Sequence, residues 1–345
     1  MLESIWFILW GVLWAVYFML DGFDLGLGTL MPFLAKTETD KRVMYRAMGP
    51  YWDGNEVWLI AAGGVTFAAF PTTYAVMFSG LYSALMLILF ALILRGVAIE
   101  FRDHADHPTW KKVWDACLVA GSFLPALLLG VAFANIFQGI PIDGEGIFQG
   151  TLFTLLNPYG LFGGVLFVAM FLLHGCLWLI VKTEGAVRER AAALVSKLWL
   201  ALAVIAVGFL VATWYATRLY DNYIQNPLMY VVPIILIPVI VVGALVMVKV
   251  YVSKGQWWSA WFASSALIVG VTLFGVAGLF PNLLPSSINP AFSLTIYNSS
   301  SSQLTLKIML GVALTFVPVV IAYQAWVYNF FKDPVTEAEA EEAYH

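Results

Sequence analysis

The stretch Leu20-Asp21-Gly22-Phe23-Asp24-Leu25-Gly26-Leu27-Gly28 closes the first hydrophobic run of the chain, and its reading decides the fold. The run before it is of spanning length and predicts a membrane helix over about 5–30. Into that helix the sequence sets two carboxylates. Each costs about 3 kcal/mol on insertion scales, so acids placed this way face a protein interior or a water-filled path. Three residues apart, Asp21 and Asp24 share a helix face. A rise of about 1.5 Å per residue sets them roughly 24 and 28 Å from Ile5, in the far part of a hydrocarbon core about 30 Å thick. Gly22 and Gly26 form a small-xxx-small pair on another face, which predicts close approach of a neighbouring helix.

Working outward, apolar runs follow one another to the C-terminus. Hydrophobic residues make up 61% and charged residues 11%, with a mean hydropathy of +0.86. That composition predicts an all-α, polytopic membrane protein. Nine spans are expected, at about 5–30, 55–71, 74–95, 116–139, 159–181, 197–218, 228–250, 257–280 and 305–330; the second is short, and Pro71-Thr72-Thr73 makes a re-entrant second and third pair the alternative. Charge orients them. With the N-terminus outside, every Lys and Arg except Arg218 and Lys307 falls on the inner side, so an N-out, C-in topology satisfies the positive-inside rule. Met1-Leu2-Glu3 lacks a positive n-region, so the first run is expected to stay as a helix. The net charge of −4 gives no reason to expect a nucleic-acid partner.

Connections are short, and a single membrane domain is expected over 1–345. The longest outer segments are 140–158 and 281–304. The end, 331–345, reads as a solvated acidic extension of the last helix (Glu337, Glu339, Glu341, Glu342). Trp6, Trp10, Trp52, Trp58, Trp110, Trp114, Trp257, Trp258 and Trp261 lie near span ends and read as interfacial anchors.

A second acid pair opens the next span, in Trp52-Asp53-Gly54-Asn55-Glu56-Val57-Trp58, on the same inner side as Asp21 and Asp24. Four carboxyl groups lining one inner vestibule would suit proton uptake and release. The spacing of Asp53 and Glu56 equally suits a helix N-terminus stabilised by its dipole, and spacing alone leaves both readings open.

Other chemistry-bearing residues point to structural roles. Cys117 and Cys176 lie in spans, form no CxxC, and read as small apolar residues. Of four histidines only His174 is at membrane depth. Met170, one turn away, cannot serve the opposite axial position of a haem, so His174 reads as a hydrogen-bonded interior residue. His104 and His107, with Asp103 and Asp106, read as exposed loop charge, His345 is terminal, and no metal site is expected. Arg95, Glu100 and Asp115 read as anchors and caps at span ends. Asn135, Gln138 and Asn157 read as backbone or interhelix hydrogen-bonding groups.

The ordered motifs resemble subunit II of the cytochrome bd quinol oxidases along nearly the whole chain. They include Asp21-Gly-Phe-Asp24-Leu-Gly-Leu-Gly28, Tyr51-Trp-Asp53-Gly-Asn55-Glu-Val-Trp58-Leu-Ile, Ala61-Ala-Gly63-Gly64 and Trp110-Lys-Lys-Val-Trp114-Asp115. Gly121-Ser-Phe-Leu-Pro125, Gly130-Val-Ala-Phe133-Ala-Asn135, Asn157-Pro158, Phe280-Pro281 through Pro285-Ser-Ser287, and Ser301-Ser302-Gln303-Leu304-Thr305-Leu306 follow. The resemblance implies two four-helix bundles, about 5–139 and 159–280, plus a peripheral helix at 305–330. It implies a multi-pass protein of the bacterial cytoplasmic (inner) membrane, itself free of haem. Its expected partner is a subunit I that carries haem b and haem d and oxidises quinol. Some members add a small single-helix accessory subunit, and some hold a structural quinone in subunit II, at a site with no assigned residues here; lipid and quinone are the remaining expected partners. On the family pattern Asp53 and Asp24 come first for proton delivery, with Asp21 and Glu56 supporting. Two rival functions stand beside it. One is a purely structural scaffold. The other is a proton-coupled secondary transporter, disfavoured by the odd span count and by the lack of an inverted repeat or matched broken helices.

Overall fold

A computed structural model describes residues 1–225 and 236–341. Its axis is α1 (Leu2–Leu34), 33 residues long. Every residue of α1 from Leu20 to Met31 is buried, acids included. A helix apolar all round belongs in a core, and the glycines let that core close. A Cβ at Gly26 would collide with the Phe171 carbonyl, and one at Gly22 would meet the Phe171 ring at 2.7 Å. A Cβ at Gly175 would lie 2.5 Å from Leu27 N. The close approach predicted for Gly22 and Gly26 is made by the helix carrying Phe171 and Gly175, α8 below.

After α1 comes α2 (Glu38–Met48), opened by a capping box between Thr37 and Asp40. Then follow α3 (Trp52–Ala69), α4 (Pro71–Gly80) and α5 (Tyr82–Phe101). The third expected span, 74–95, is therefore divided at Leu81, and α5 runs six residues past Arg95. Beside this break, a Cβ at Gly80 would lie 3.1 Å from Phe148 Cβ. A 3-10 turn over Arg102–His104 leads to α6 (Pro108–Gln138), capped by His107 and ended by Gly139 at φ 91. The short α7 (Leu152–Leu155) precedes α8 (Pro158–Lys182), whose cap is the Asn157 side chain. The chain continues as α9 (Gly185–Ala216), α10 (Leu219–Gln225), α11 (Ile237–Ser253) and α12 (Trp257–Leu279). The start of the expected span 228–250 lies outside the described residues.

Strands β1 (Asn282–Leu284) and β2 (Leu294–Thr295) pair antiparallel, and α13 (Gln303–Phe330) and α14 (Glu337–Glu341) complete the chain. Among the described residues seven helices are long and apolar enough to cross a membrane: α1, α5 with its 3-10 turn, α6, α8, α9, α12 and α13. Helix α1 packs against α3, α6, α8 and α12.

Two details depart from expectation. Trp6, Trp10, Trp58 and Trp261 are buried rather than interfacial. Tertiary partners claim some of their ring N–H groups, as in Trp10 to Thr66 Oγ1 at 2.9 Å and Trp6 to the Leu306 carbonyl at 3.1 Å. The acidic tail does not extend the last helix. Pro334 cannot continue it, Lys182 Nζ donates to the Phe331 and Asp333 carbonyls, and Val335 pairs with Thr183. That turn lays α14 against α2; residues 342–345, with Glu342 and His345, lie outside the described residues. The segments 140–158 and 281–304 lie together, joined where Ile140 N donates to the Pro285 carbonyl and Ser287 N to the Ile140 carbonyl.

Candidate functional site

Helix α1 packs against α3 and α6, and α6 against α5, which brings three of the four predicted acids near one arginine of α5. Arg95 is fully buried. Its Nη2 lies 2.8 Å from Asp21 Oδ1 and 2.8 Å from Glu56 Oε2, joining the three helices. Gly121 on α6 makes room, since a Cβ there would stand 2.5 Å from the Ala91 carbonyl and 2.8 Å from Arg95 N. Asp24 takes another partner. Its Oδ2 accepts from Asn55 Nδ2 at 2.7 Å, and Asn55 Oδ1 accepts from the Tyr328 hydroxyl of α13 at 2.8 Å.

Charge does not balance here. Asp21, Asp24 and Glu56 face one guanidinium, so the fully ionised cluster would carry two uncompensated negative charges in a low-dielectric interior. Hydrogen bonds are also incomplete. Asp24 Oδ1, Arg95 Nε and Nη1, and Ser122 Oγ are buried and have no hydrogen-bond partner in this chain. Buried groups of this kind are ordinarily satisfied by water.

Asp53 stands apart. It is exposed at the start of α3, and its Oδ1 accepts from Gly54 N at 2.6 Å. Tyr51, not Asp53, occupies the N-cap position. Glu56 is intermediate, its side chain 24% exposed.

Four participants were missed in the sequence: Arg95, Asn55, Tyr328 and Gln324, whose Nε2 donates to the Gly54 carbonyl at 3.1 Å. For Arg95 the signal was there, because Gly96-Val97-Ala98-Ile99 continues the apolar run beyond it. Gln324 and Tyr328 sit one turn apart in the last apolar run, a pattern that marks a polar face.

The remaining candidates resolve differently. Both ring nitrogens of His174 are engaged, Nδ1 with Ser264 Oγ at 2.6 Å and Nε2 with the Met19 carbonyl at 3.0 Å, and the ring stacks on Trp261. Cys176 Sγ donates to the Ala191 carbonyl. Asn135 binds the Val131 and Leu155 carbonyls and accepts from Asn157. Asp115 is no cap; it binds Arg102 at 2.6 Å and Lys41 at 2.7 Å. His104 stacks on Phe101, and Glu100 is exposed. Among the described residues no three His, Cys, Asp or Glu side chains converge as a metal site would require.

Comparison with known proteins agrees with the fold and with the motifs. The family described as cytochrome bd terminal oxidase subunit II matches residues 2–331. A probable cytochrome oxidase subunit 2 of Haemophilus influenzae is 38% identical, covering 95% of this chain and 93% of that protein. The cytochrome bd-I ubiquinol oxidase subunit 2 of Escherichia coli K12 is 36% identical over 100% of this chain and 98% of its own length. The cytochrome bd ubiquinol oxidase subunit 2 of Bacillus subtilis is also 36% identical, covering 98% of each. A chain in the structure of the bd oxidase from Geobacillus thermodenitrificans shares the fold, with TM-score 0.73 at 18% identity, over 95% of this chain and 98% of that one. This chain belongs to the cytochrome bd terminal oxidase subunit II family.

Proposed function

We propose that this chain is the haem-free second subunit of a quinol:oxygen oxidoreductase, paired with a haem-bearing subunit I and supplying part of a proton path from the inner side. Relatives named as ubiquinol oxidase subunits support the reaction class. The observation that carries the path is the charge-unbalanced, hydrogen-bond-deficient cluster of Asp21, Asp24 and Glu56 around Arg95. Quinol oxidation releases protons on the outer side, and reduction of oxygen to water takes up one proton per electron from the inner side. A carboxylate route through low-dielectric protein meets that demand. Exposed Asp53 collects protons, Glu56 one turn on receives them, and Asp24 and Asp21 hold them in the interior, with Arg95 as fixed counter-charge.

Haem b and haem d are assigned to the partner, since the engaged ring of His174 does not fit a haem ligand. Nine spans, N-out and C-in, are proposed, with α3 and the segment ending in α11 added to the seven long helices. These form two four-helix bundles with α13 peripheral, in the bacterial cytoplasmic membrane. The exposed apolar face of α3 beyond Asp53 (Val57, Ile60, Gly64, Phe67) is offered to subunit I, which leaves Asp53 open to the inner side.

One observation favours a scaffold instead, because Arg95 ties three helices together as a structural ion pair would. Asp24→Asn separates the readings, as Asp24 is not a partner of Arg95. In the assembled oxidase the proton-path reading expects turnover to fall about a hundredfold, the scale of proton-transfer contributions, with the haem spectrum retained. Wild-type turnover would leave the scaffold.

A further inference from the structure

The last helix is the part of the chain with least obvious work to do. Of α13 only Leu306 is buried. Yet near its inner end two polar side chains one turn apart turn toward α3. Tyr328 donates to Asn55 Oδ1, and Gln324 Nε2 donates to the Gly54 carbonyl at 3.1 Å and reaches Asn55 Oδ1 at 3.4 Å. Gln324 Oε1 in turn accepts from Trp58 Nε1 at 2.9 Å.

The direction of these bonds is fixed by chemistry. An indole N–H only donates, so Gln324 must present its oxygen to Trp58 and its nitrogen to the Gly54 carbonyl and Asn55. Asn55 then presents Oδ1 to α13, and its nitrogen is left for Asp24, where Nδ2 sits 2.7 Å from Oδ2. A flipped Asn55 would set its oxygen against the carboxylate and its amide hydrogens against the Gln324 amide nitrogen. The Tyr328 ring packs against Tyr51 at 4.7 Å and Trp178 at 5.9 Å, which holds its hydroxyl within reach of Asn55, while the direction of the chain is set by Trp58 and Gln324. The lower end of α13 is fixed as well, with Tyr51 Oη and Lys182 Nζ both donating to the Phe331 carbonyl.

We propose that Gln324 and Tyr328 are positioning residues for proton transfer, acting through a directional relay from Trp58 through Gln324 and Asn55 that keeps a hydrogen-bond donor on Asp24. The relay assigns the peripheral helix a part in the reaction. This inference rests on the proton-path role of Asp24.

The test uses the complete oxidase purified with its partner subunit. Tyr328→Phe keeps the ring packing and loses the hydroxyl; Gln324→Leu loses both amide contacts; the double variant loses the relay. Three readouts are taken: kcat and KM for quinol, the haem absorbance, and the carboxyl stretching band in redox difference infrared spectra, assigned to Asp24 by its loss in Asp24→Asn. The double variant is expected to lower kcat about tenfold, the scale of one hydrogen bond to a charged group. KM and haem absorbance stay unchanged, the Asp24 band shifts, and each single variant shifts it the same way by less. An unshifted band with wild-type kcat in both single variants overturns the relay. If Asp24→Asn itself turns over normally, the proton-path reading fails instead, which keeps the two failures distinct.

Discussion

Arg95 and Arg102 stand seven residues apart, with side-chain exposures of 0% and 1%, and their surroundings are opposites. All three donor nitrogens of Arg102 are claimed. Nε binds Asp115 at 2.6 Å, Nη1 binds Asp103 at 2.9 Å and Nη2 binds Glu38 at 2.9 Å, while Lys41 shares Asp115. Burial followed by the neighbouring Asp115 carboxylate pushes the Tyr45 hydroxyl above its ordinary pKa, which keeps it a neutral donor to Asp115 at 3.3 Å. Around Arg95 only Nη2 is used, and acids outnumber bases. A saturated network at a helix end fixes geometry. An unsaturated one in the interior leaves room for protons to move. The same residue type about two turns apart thus marks the difference between a saturated brace and an unsaturated cluster.

The comparison can be broken by substitution. Arg95→Met should have the largest effect, leaving Asp21 and Glu56 buried without their cation at a cost of about 3–5 kcal/mol. Recovery of assembled complex should collapse, and adding Asp21→Asn and Glu56→Gln should restore it in part. Asp24→Asn comes next, with assembly intact and turnover reduced as above. Arg102→Gln should be milder. Its partners Glu38 and Asp103 reach solvent, so about 1–2 kcal/mol is expected, read as a lowered melting temperature of the complex with unchanged kcat per haem.

The smallest effect concerns pH. Asp40 joins α2 to α9 through Arg190 at 2.7 Å. Burial alone would raise its pKa, but the Lys36 and Thr37 N–H groups and Arg190 more than offset this and leave it below the ordinary value. A lowered folded-state pKa stabilises above the unfolded value and is lost as pH falls through the folded one. The acid side of the stability profile should therefore flatten in Asp40→Asn. An unchanged profile would show that the α2 anchor does not depend on this charge.

Much of this was legible in the sequence. Carboxylates cannot sit in a long apolar run without purpose, so Asp21 and Asp24 announced an interior site, and Gly22 and Gly26 announced a close neighbour. Glu56 followed from topology. Arg95 was misread because hydropathy blurs where a span stops, and a basic residue near an end looks like an anchor. Trp10 and Trp58 were misread for a related reason, since a tryptophan that donates to Thr66 or Gln324 looks in sequence like one that faces headgroups. Asn55 and Tyr328 meet across 273 residues, and no local pattern reports such a pairing. The docked tail depended on Lys182 reaching the carbonyls beside Pro334, a tertiary event.

The most direct test is single-turnover proton uptake by the assembled oxidase as its reduced form reacts with oxygen, comparing wild type, Asp24→Asn and Arg102→Gln. The account predicts slowed uptake in Asp24→Asn with haem reduction unaffected, and wild-type uptake in Arg102→Gln. Wild-type uptake in Asp24→Asn would contradict it and reduce the buried acids to structural ties.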